Sequence, residues 1–105
     1  MQRVYGEFII NGTTADENVV PAIKEFEKTN IGINPVPEKF VIRKLGVKAD
    51  AACVVYVNGR PFKLGAGEPL EFGYDSIKVD SLKFNVTGIN VVIRYMYFRE
   101  DQVYQ

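Results

Sequence analysis

The sequence has no histidine and no tryptophan, a single cysteine and no net charge, with thirteen Lys and Arg against thirteen Asp and Glu. Each absence removes a class of function. Without histidine there is no imidazole base, no histidine-bearing triad and no histidine metal ligand. One cysteine cannot close an intramolecular disulfide. Cys53 lies in the apolar stretch Ala52-Cys53-Val54-Val55-Tyr56-Val57 and reads as a small core residue, because a reactive thiol needs a cationic, accessible setting. This cysteine usage fits a reducing compartment. The charge balance takes away the electrostatic case for nucleic acid or an anionic membrane as partner. No apolar run reaches signal or spanning length, and Met1-Gln2-Arg3-Val4-Tyr5-Gly6-Glu7 carries a charge on either side of Gly6. The expectation is a product made and folded in the cytosol.

What is present is one domain's worth of chain: 105 residues, 47% hydrophobic and 25% charged, which supports a modest single core without metal or disulfide. Residues 4–10 end in Phe8-Ile9-Ile10 before Asn11-Gly12, a strand running into a turn. One helix follows. Asn18 is placed as its N-cap, with Pro21 in the first turn, where a missing N–H costs nothing. Val19, Ile23 and Phe26 recur at helical spacing, and Lys24, Glu25, Glu27 and Lys28 are expected to face away from the core. Residues 30–37, with Pro35 and Pro37, then form an extended, stiff connector.

From Glu38 onward short strands alternate with turn residues, the pattern of a sandwich or barrel. Phe40 and Ile42 share one strand face, and residues 52–57 make the next strand. Asn58-Gly59 is the strongest hairpin signal, because a type I′ turn needs positive φ at both central positions. Pro61 puts the partner strand, Phe62-Lys63-Leu64, at an edge or makes it begin just after the proline. Leu70 and Phe72 alternate with Glu71, whereas Ile77 and Val79 stand on the opposite parity to Leu82, Phe84 and Val86. A two-residue side-chain period cannot survive that shift, so Asp80-Ser81 must hold a bulge or corner. Residues 90–98 form the longest strand. Both of its faces, Val91, Ile93, Tyr95, Tyr97 and Val92, Arg94, Met96, Phe98, are largely apolar, which suits a central strand covered on both sides by the protein's own helix or by another subunit.

Candidate sites are few. Gly65-Ala66-Gly67-Glu68 lacks the following Lys and Ser/Thr and leads into a strand, so it is a turn and no phosphate cradle. Glu68, Glu71, Asp75 and Asp80 have no calcium-loop spacing. An enzymatic reading would need a cleft with paired carboxylates such as Glu71 and Asp75. Lys39, Arg43, Lys44 and Lys48 form a local basic run that strand alternation divides between two surfaces. Asn11-Gly12-Thr13 and Asn85-Val86-Thr87 match the glycosylation acceptor pattern, which carries no meaning without secretion. Six tyrosines stand out, since an exposed ring offers a flat face and a hydroxyl to sugar rings or bases; Tyr95 and Tyr97, in register with Val91 and Ile93, read first as core or inter-subunit packing.

The run Phe40-Val41-Ile42-Arg43-Lys44-Leu45-Gly46-Val47, the Val57-Asn58-Gly59 hairpin with Phe62 and Leu64, Gly67-Glu68 opening a strand toward Tyr74, and Val79-Asp80-Ser81-Leu82 together resemble small all-β virion accessory proteins of tailed bacteriophages. These are the capsid-decoration, head-fibre or tail-accessory modules. The likeness covers residues 38–98 and rests on strand-and-turn punctuation. It implies a structural subunit of a symmetric assembly located in the virion, with other virion structural proteins as partners and no catalytic residues to transfer.

The expected fold is therefore mainly β, an antiparallel β-sandwich of jelly-roll type with one short N-terminal helix. Residues 1–37 form an arm of strand, helix and proline connector, 38–98 the sandwich body and 99–105 a polar tail. The arm carries three basic and five acidic residues to Asn34, against ten and eight in the remainder, a mild opposition that suits subunits meeting one another. The expected function is non-enzymatic and structural, as a homo-oligomer, with no cofactor, no metal, no nucleic acid and no membrane. Val19, Ile23, Phe26, Tyr95, Tyr97 and Phe98 are the expected assembly contacts. The alternative is a carbohydrate- or surface-binding module that stacks a glycan on Tyr74 and Tyr97.

Overall fold

Turn residues between short apolar runs yield seven strands and one helix over residues 2–31, 40–73 and 77–99, which the computed structural model describes. In chain order these are β1 (Gln2–Asn11), α1 (Val20–Ile31), β2 (Ile42–Ala49), β3 (Cys53–Val57), β4 (Arg60–Leu64), β5 (Pro69–Phe72), β6 (Leu82–Phe84) and β7 (Asn90–Arg99). The fold is mainly antiparallel β, in two sheets: a four-stranded sheet ordered β1-β7-β2-β5 and a three-stranded sheet ordered β4-β3-β6.

β7 is the axis of the larger sheet. It pairs with β1 from Gln2↔Arg99 to Asn11↔Asn90 and with β2 on its other side. The register puts Tyr97, Tyr95, Ile93 and Val91 on one face with Val4, Gly6, Phe8 and Ile10 of β1, and with Leu45, Val47 and Ala49 of β2. The β7 and β2 residues of this face, together with Val55 and Val57 of β3 and Leu82 and Phe84 of β6, form one apolar core that draws on both sheets, with Val4, Phe8 and Ile10 packed against it.

Residues 2–31 are thus built into the body of the fold. All ten residues of β1 are paired into the larger sheet, and Val19, Val20 and Ile23 lie in the same core. The helix does not open the chain but follows this strand. Asn18 caps it as its side chain predicts: Oδ1 accepts the N–H of Val20 at 3.1 Å, and Pro21 sits in the first turn. Asn18 Oδ1 also accepts the N–H of Leu82 at 3.0 Å, so the cap ties the helix to β6. The backbone just before α1 lies along the same strand, with Asp16 N–H donating to Phe84 O and Val19 N–H to Leu82 O.

The helix is phased differently from its apolar pattern. Glu27, expected to face water, is only 6% exposed, and Phe26 is 38% exposed. Val20, Ile23 and Glu27, spaced three and four residues apart, define the inward line, and Phe26 is turned to the flank, where its ring meets Phe8 edge-on at 5.4 Å. Glu27 goes inward because the sheet offers it two phenols, described below.

The β3–β4 hairpin turns at Asn58 and Gly59, with φ of 52° and 83°, and Pro61 falls on β4, an edge strand. The parity break at Asp80-Ser81 is a crossing between sheets: Val79 bridges Ile42, while Leu82 and Phe84 pair with Val57 and Val55. Asn58 fastens that corner. Its Oδ1 accepts the N–H groups of Asp80 at 3.0 Å and Ser81 at 3.3 Å, and its Nδ2 donates to Lys78 O at 2.6 Å.

Candidate functional site

The two faces of the larger sheet carry different chemistry. On the inner face the Glu27 carboxylate accepts a hydrogen bond from Tyr97 Oη at 2.8 Å and a shorter one from Tyr95 Oη. Burial, and then the bond to Glu27, push the Tyr95 hydroxyl well above the ordinary tyrosine range. The ring of Tyr95 reaches Glu27 by crossing over Gly6: a Cβ there would come within 2.6 Å of its Cζ and Oη. This buried Glu-Tyr-Tyr cluster clamps α1 to β7, and both Glu27 oxygens are taken up by the protein's own phenols.

Val19, Ile23, Tyr95 and Tyr97 are accordingly buried within the chain and are not free to contact another subunit. Nor can Tyr97 act as a stacking platform, since its ring lies against Phe40 at 4.7 Å between centroids. The physical reason is that the chain's own helix and second sheet cover this face of β7. Of the expected assembly contacts, Phe26 remains exposed on the helix flank, and Phe98 is half-buried on the outer face beneath the Arg43 guanidinium, 5.5 Å from its ring centre. Tyr74 and Asp75 lie outside the described residues. Cys53 is buried in the core, and burial raises its thiol pKa.

The outer face is built by the opposite parity of the same strands. β1 shows Arg3, Tyr5, Glu7 and Ile9, all exposed; across from them stand Phe98, Met96, Arg94 and Val92 of β7, then Lys44, Gly46 and Lys48 of β2 and Glu71 of β5. Met96 is fully buried even here. It sits between Tyr5 and Lys44, whose ammonium lies 6.0 Å from the Tyr5 ring centre. Arg94 Nε donates to Glu7 Oε2 at 3.0 Å in an exposed ion pair, worth about 1 kcal/mol or less for stability. Around Gly46 the face sinks into a hollow of about 650 Å³, walled by Tyr5, Glu7, Lys44, Glu71 and Arg94.

Among the described residues, no cluster of three or more Cys, Asp and Glu is placed to hold a metal ion, and no helix is long and apolar enough to cross a membrane. Glu71, which an enzymatic reading would pair with Asp75, lines the outer hollow. No functional signal marks Ile9, Gly46 or Arg94 in the sequence, and Tyr5 is one of six tyrosines of which Tyr74 and Tyr97 are the expected platforms. Odd-numbered Arg3, Tyr5, Glu7 and Ile9 form one exposed row, but residues 8–10 are continuously apolar and hide that parity. Comparison with protein-family models, with curated protein sequences and with solved structures finds no match for this chain.

Proposed function

We propose that this protein is a non-enzymatic structural subunit of a larger symmetric assembly, a virion accessory protein of a tailed phage, and that β1 is the strand through which copies join. One observation carries this reading: β1 is a ten-residue edge strand that contains no proline and leaves Ile9 54% exposed. The other sheet edges are guarded. β4 contains Pro61, β5 has four residues and begins at Pro69, and β6 has three residues with the backbone of Asp16 and Val19 bonded beside it. Proteins that remain single ordinarily blunt long edges, because a row of unpaired N–H and C=O groups is a template for another chain. Phe26, exposed on the helix flank against Phe8 of β1, adds an apolar ring on the inner side of that edge.

The strand order supports the same reading. A jelly roll has eight strands in two sheets, and a double Greek-key winding orders them 1-8-3-6 and 2-7-4-5. If the segment bonded to β6 at Asp16 and Val19 stands for a reduced second strand, the observed orders become these two. We therefore infer a jelly-roll sandwich whose second strand has given way to a capped helix. Viral capsid domains share that architecture, an analogy of fold and not of site. Its partners are then further copies of itself and neighbouring virion proteins, and its place is the particle.

Light scattering on the purified protein tests this. Dimers or larger rings are expected at micromolar concentration, and Ile9→Lys, a change at an exposed position, is expected to shift them to monomer without altering the circular dichroism spectrum. A monomer at every concentration, together with absence from purified particles by mass spectrometry, would overturn the proposal.

A further inference from the structure

We propose that the outer face of the four-stranded sheet is a binding trough for a neutral oligosaccharide, with Gly46 as its floor and Tyr5 as its stacking platform. This goes beyond the assembly reading and does not depend on it, because edge-to-edge pairing through β1 leaves the outer face open.

The shape comes first. The hollow over Gly46 continues into a second of about 300 Å³ that shares Gly46, Glu71 and Arg94 with it. This one leads through Lys48 and Val92 into a third of about 600 Å³, which ends at Ile9 and Asn90. Three hollows with common walls form one elongated trough, the form an extended polymer needs and a compact metabolite does not.

Gly46 then asks for a cause. Its φ lies outside the left-handed region, and a Cβ added there would meet nothing nearer than Arg94 Cβ and O, both at 3.9 Å. Neither backbone conformation nor packing requires glycine at this position, although glycine inside a strand weakens it. A strand glycine often marks a bulge, a tight bend or a place where a ligand or another backbone approaches closely, and the irregularity of β2 lies between Ile42 and Lys44, short of Gly46. Gly6, on the inner face of the same sheet, shows what an internal reason looks like, since Tyr95 fills its space.

The lining chemistry selects the class of ligand. Three carboxylates, Glu7, Glu71 and Asp50, and three cations, Lys44, Lys48 and Arg94, wall the trough. The balance favours neither a polyanion nor a polycation, yet it supplies acceptors and donors side by side. A sugar hydroxyl both donates and accepts and can use either. Arg94 is paired with Glu7 at 3.0 Å, and Glu71 presents an exposed carboxylate. Tyr5, 62% exposed, offers a flat amphipathic face at one end; the exposed Lys44 ammonium beside it can swing aside.

Amide-resolved NMR titration of the full chain tests this with cellohexaose, maltohexaose and chitohexaose, each at about 5 mM, a range that detects millimolar affinities, and with heparin as the polyanion. At least one neutral hexasaccharide is expected to shift the amides of Gly46, Glu71 and Arg94. Gly46→Leu, which places a side chain in the trough, and Tyr5→Ala are each expected to weaken that binding about tenfold or more. The Gly46→Leu protein is expected to melt no lower than the parent. No shift at these amides with any of the three sugars would overturn the proposal, as would binding that survives Gly46→Leu. So would binding of heparin alone, or a Gly46→Leu protein that loses its fold. None of these outcomes touches the oligomeric state, so the trough and the β1 edge stand or fall separately.

Discussion

The inner and outer faces of the four-stranded sheet come from the same residues read at alternate positions, yet they spend their side chains differently. Along β7, Val91, Ile93, Tyr95 and Tyr97 are all buried, whereas Val92, Arg94 and Phe98 keep contact with water. Each face also has a glycine. Gly6 is occupied from within by Tyr95, and Gly46 stands open. On the inner face no buried polar side-chain atom among the described residues is left without a partner from the same chain. The outer face meets the demands of folding with room to spare, and that surplus is where a function can reside.

The sharpest way to break the inner face is at its one buried carboxylate. Glu27→Ala takes from Tyr95 the acceptor of its hydroxyl and from Tyr97 a bond of 2.8 Å. Leaving such groups without their partner in a dry core costs about 1–3 kcal/mol each, and the cavity adds to it. A loss of about 2–4 kcal/mol is expected in chemical denaturation, with the larger effect on α1, which the cluster holds in place. If the variant unfolds at the parental denaturant midpoint, the clamp is not what fixes the helix.

Gly6→Ala comes next. The new methyl would fall within 2.6 Å of the Tyr95 ring, so the ring must shift and its bond to Glu27 with it. Overpacking of this kind costs about 1–3 kcal/mol. The double variant Gly6→Ala with Tyr95→Phe is expected to lose less than the two single changes together, because both disturb the same contact.

Much of the second sheet that covers this inner face was legible in the sequence. The hairpin at Asn58-Gly59, the edge proline Pro61 and the parity break at Asp80-Ser81 follow from local rules of turn and strand, and they lie where those rules put them. Glu27 was not legible. A charged residue on an amphipathic helix is ordinarily solvated, and only tertiary pairing brings the β7 tyrosines, 68 and 70 residues away, to it. The place of β1 was hidden for a similar reason: first and last strands pair across nearly the whole chain, a contact with no local signature. The outer trough was invisible because its walls come from four strands and its floor is defined by a missing side chain.

The alkaline limb of stability separates the faces by titration. The Tyr95 hydroxyl is raised in the fold above the value of about 10 that it takes in the unfolded chain. Above about pH 10 the unfolded state therefore releases this proton first, and stability falls as pH rises, by at most about 1.4 kcal/mol per pH unit from this group. Tyr95→Phe is expected to be less stable at neutral pH but to show a shallower alkaline decline. Cys53, whose thiol is likewise raised by burial from its ordinary 9.0, adds its own decline from lower pH in both proteins. Equal slopes above pH 10 would mean that Tyr95 gives up its proton as readily folded as unfolded.

The smallest expected effect is the most discriminating, because it has the opposite sign. Gly46→Ala adds the same methyl group as Gly6→Ala, to the same sheet, at a position where the nearest atoms are 3.9 Å away. The alanine relieves the entropic weakness of a mid-strand glycine and is expected to stabilise the fold by about 0.5 kcal/mol. For a domain of this size that corresponds to a rise of about 2–4 °C in Tm. A fall in Tm would show that the fold itself needs the open position, and the outer glycine would join the inner one as a packing residue. A rise would mean that the chain forgoes stability at Gly46 that a single methyl could supply. The two glycines would then serve different ends, one making room for a side chain of the protein and the other for a ligand that rests on its backbone.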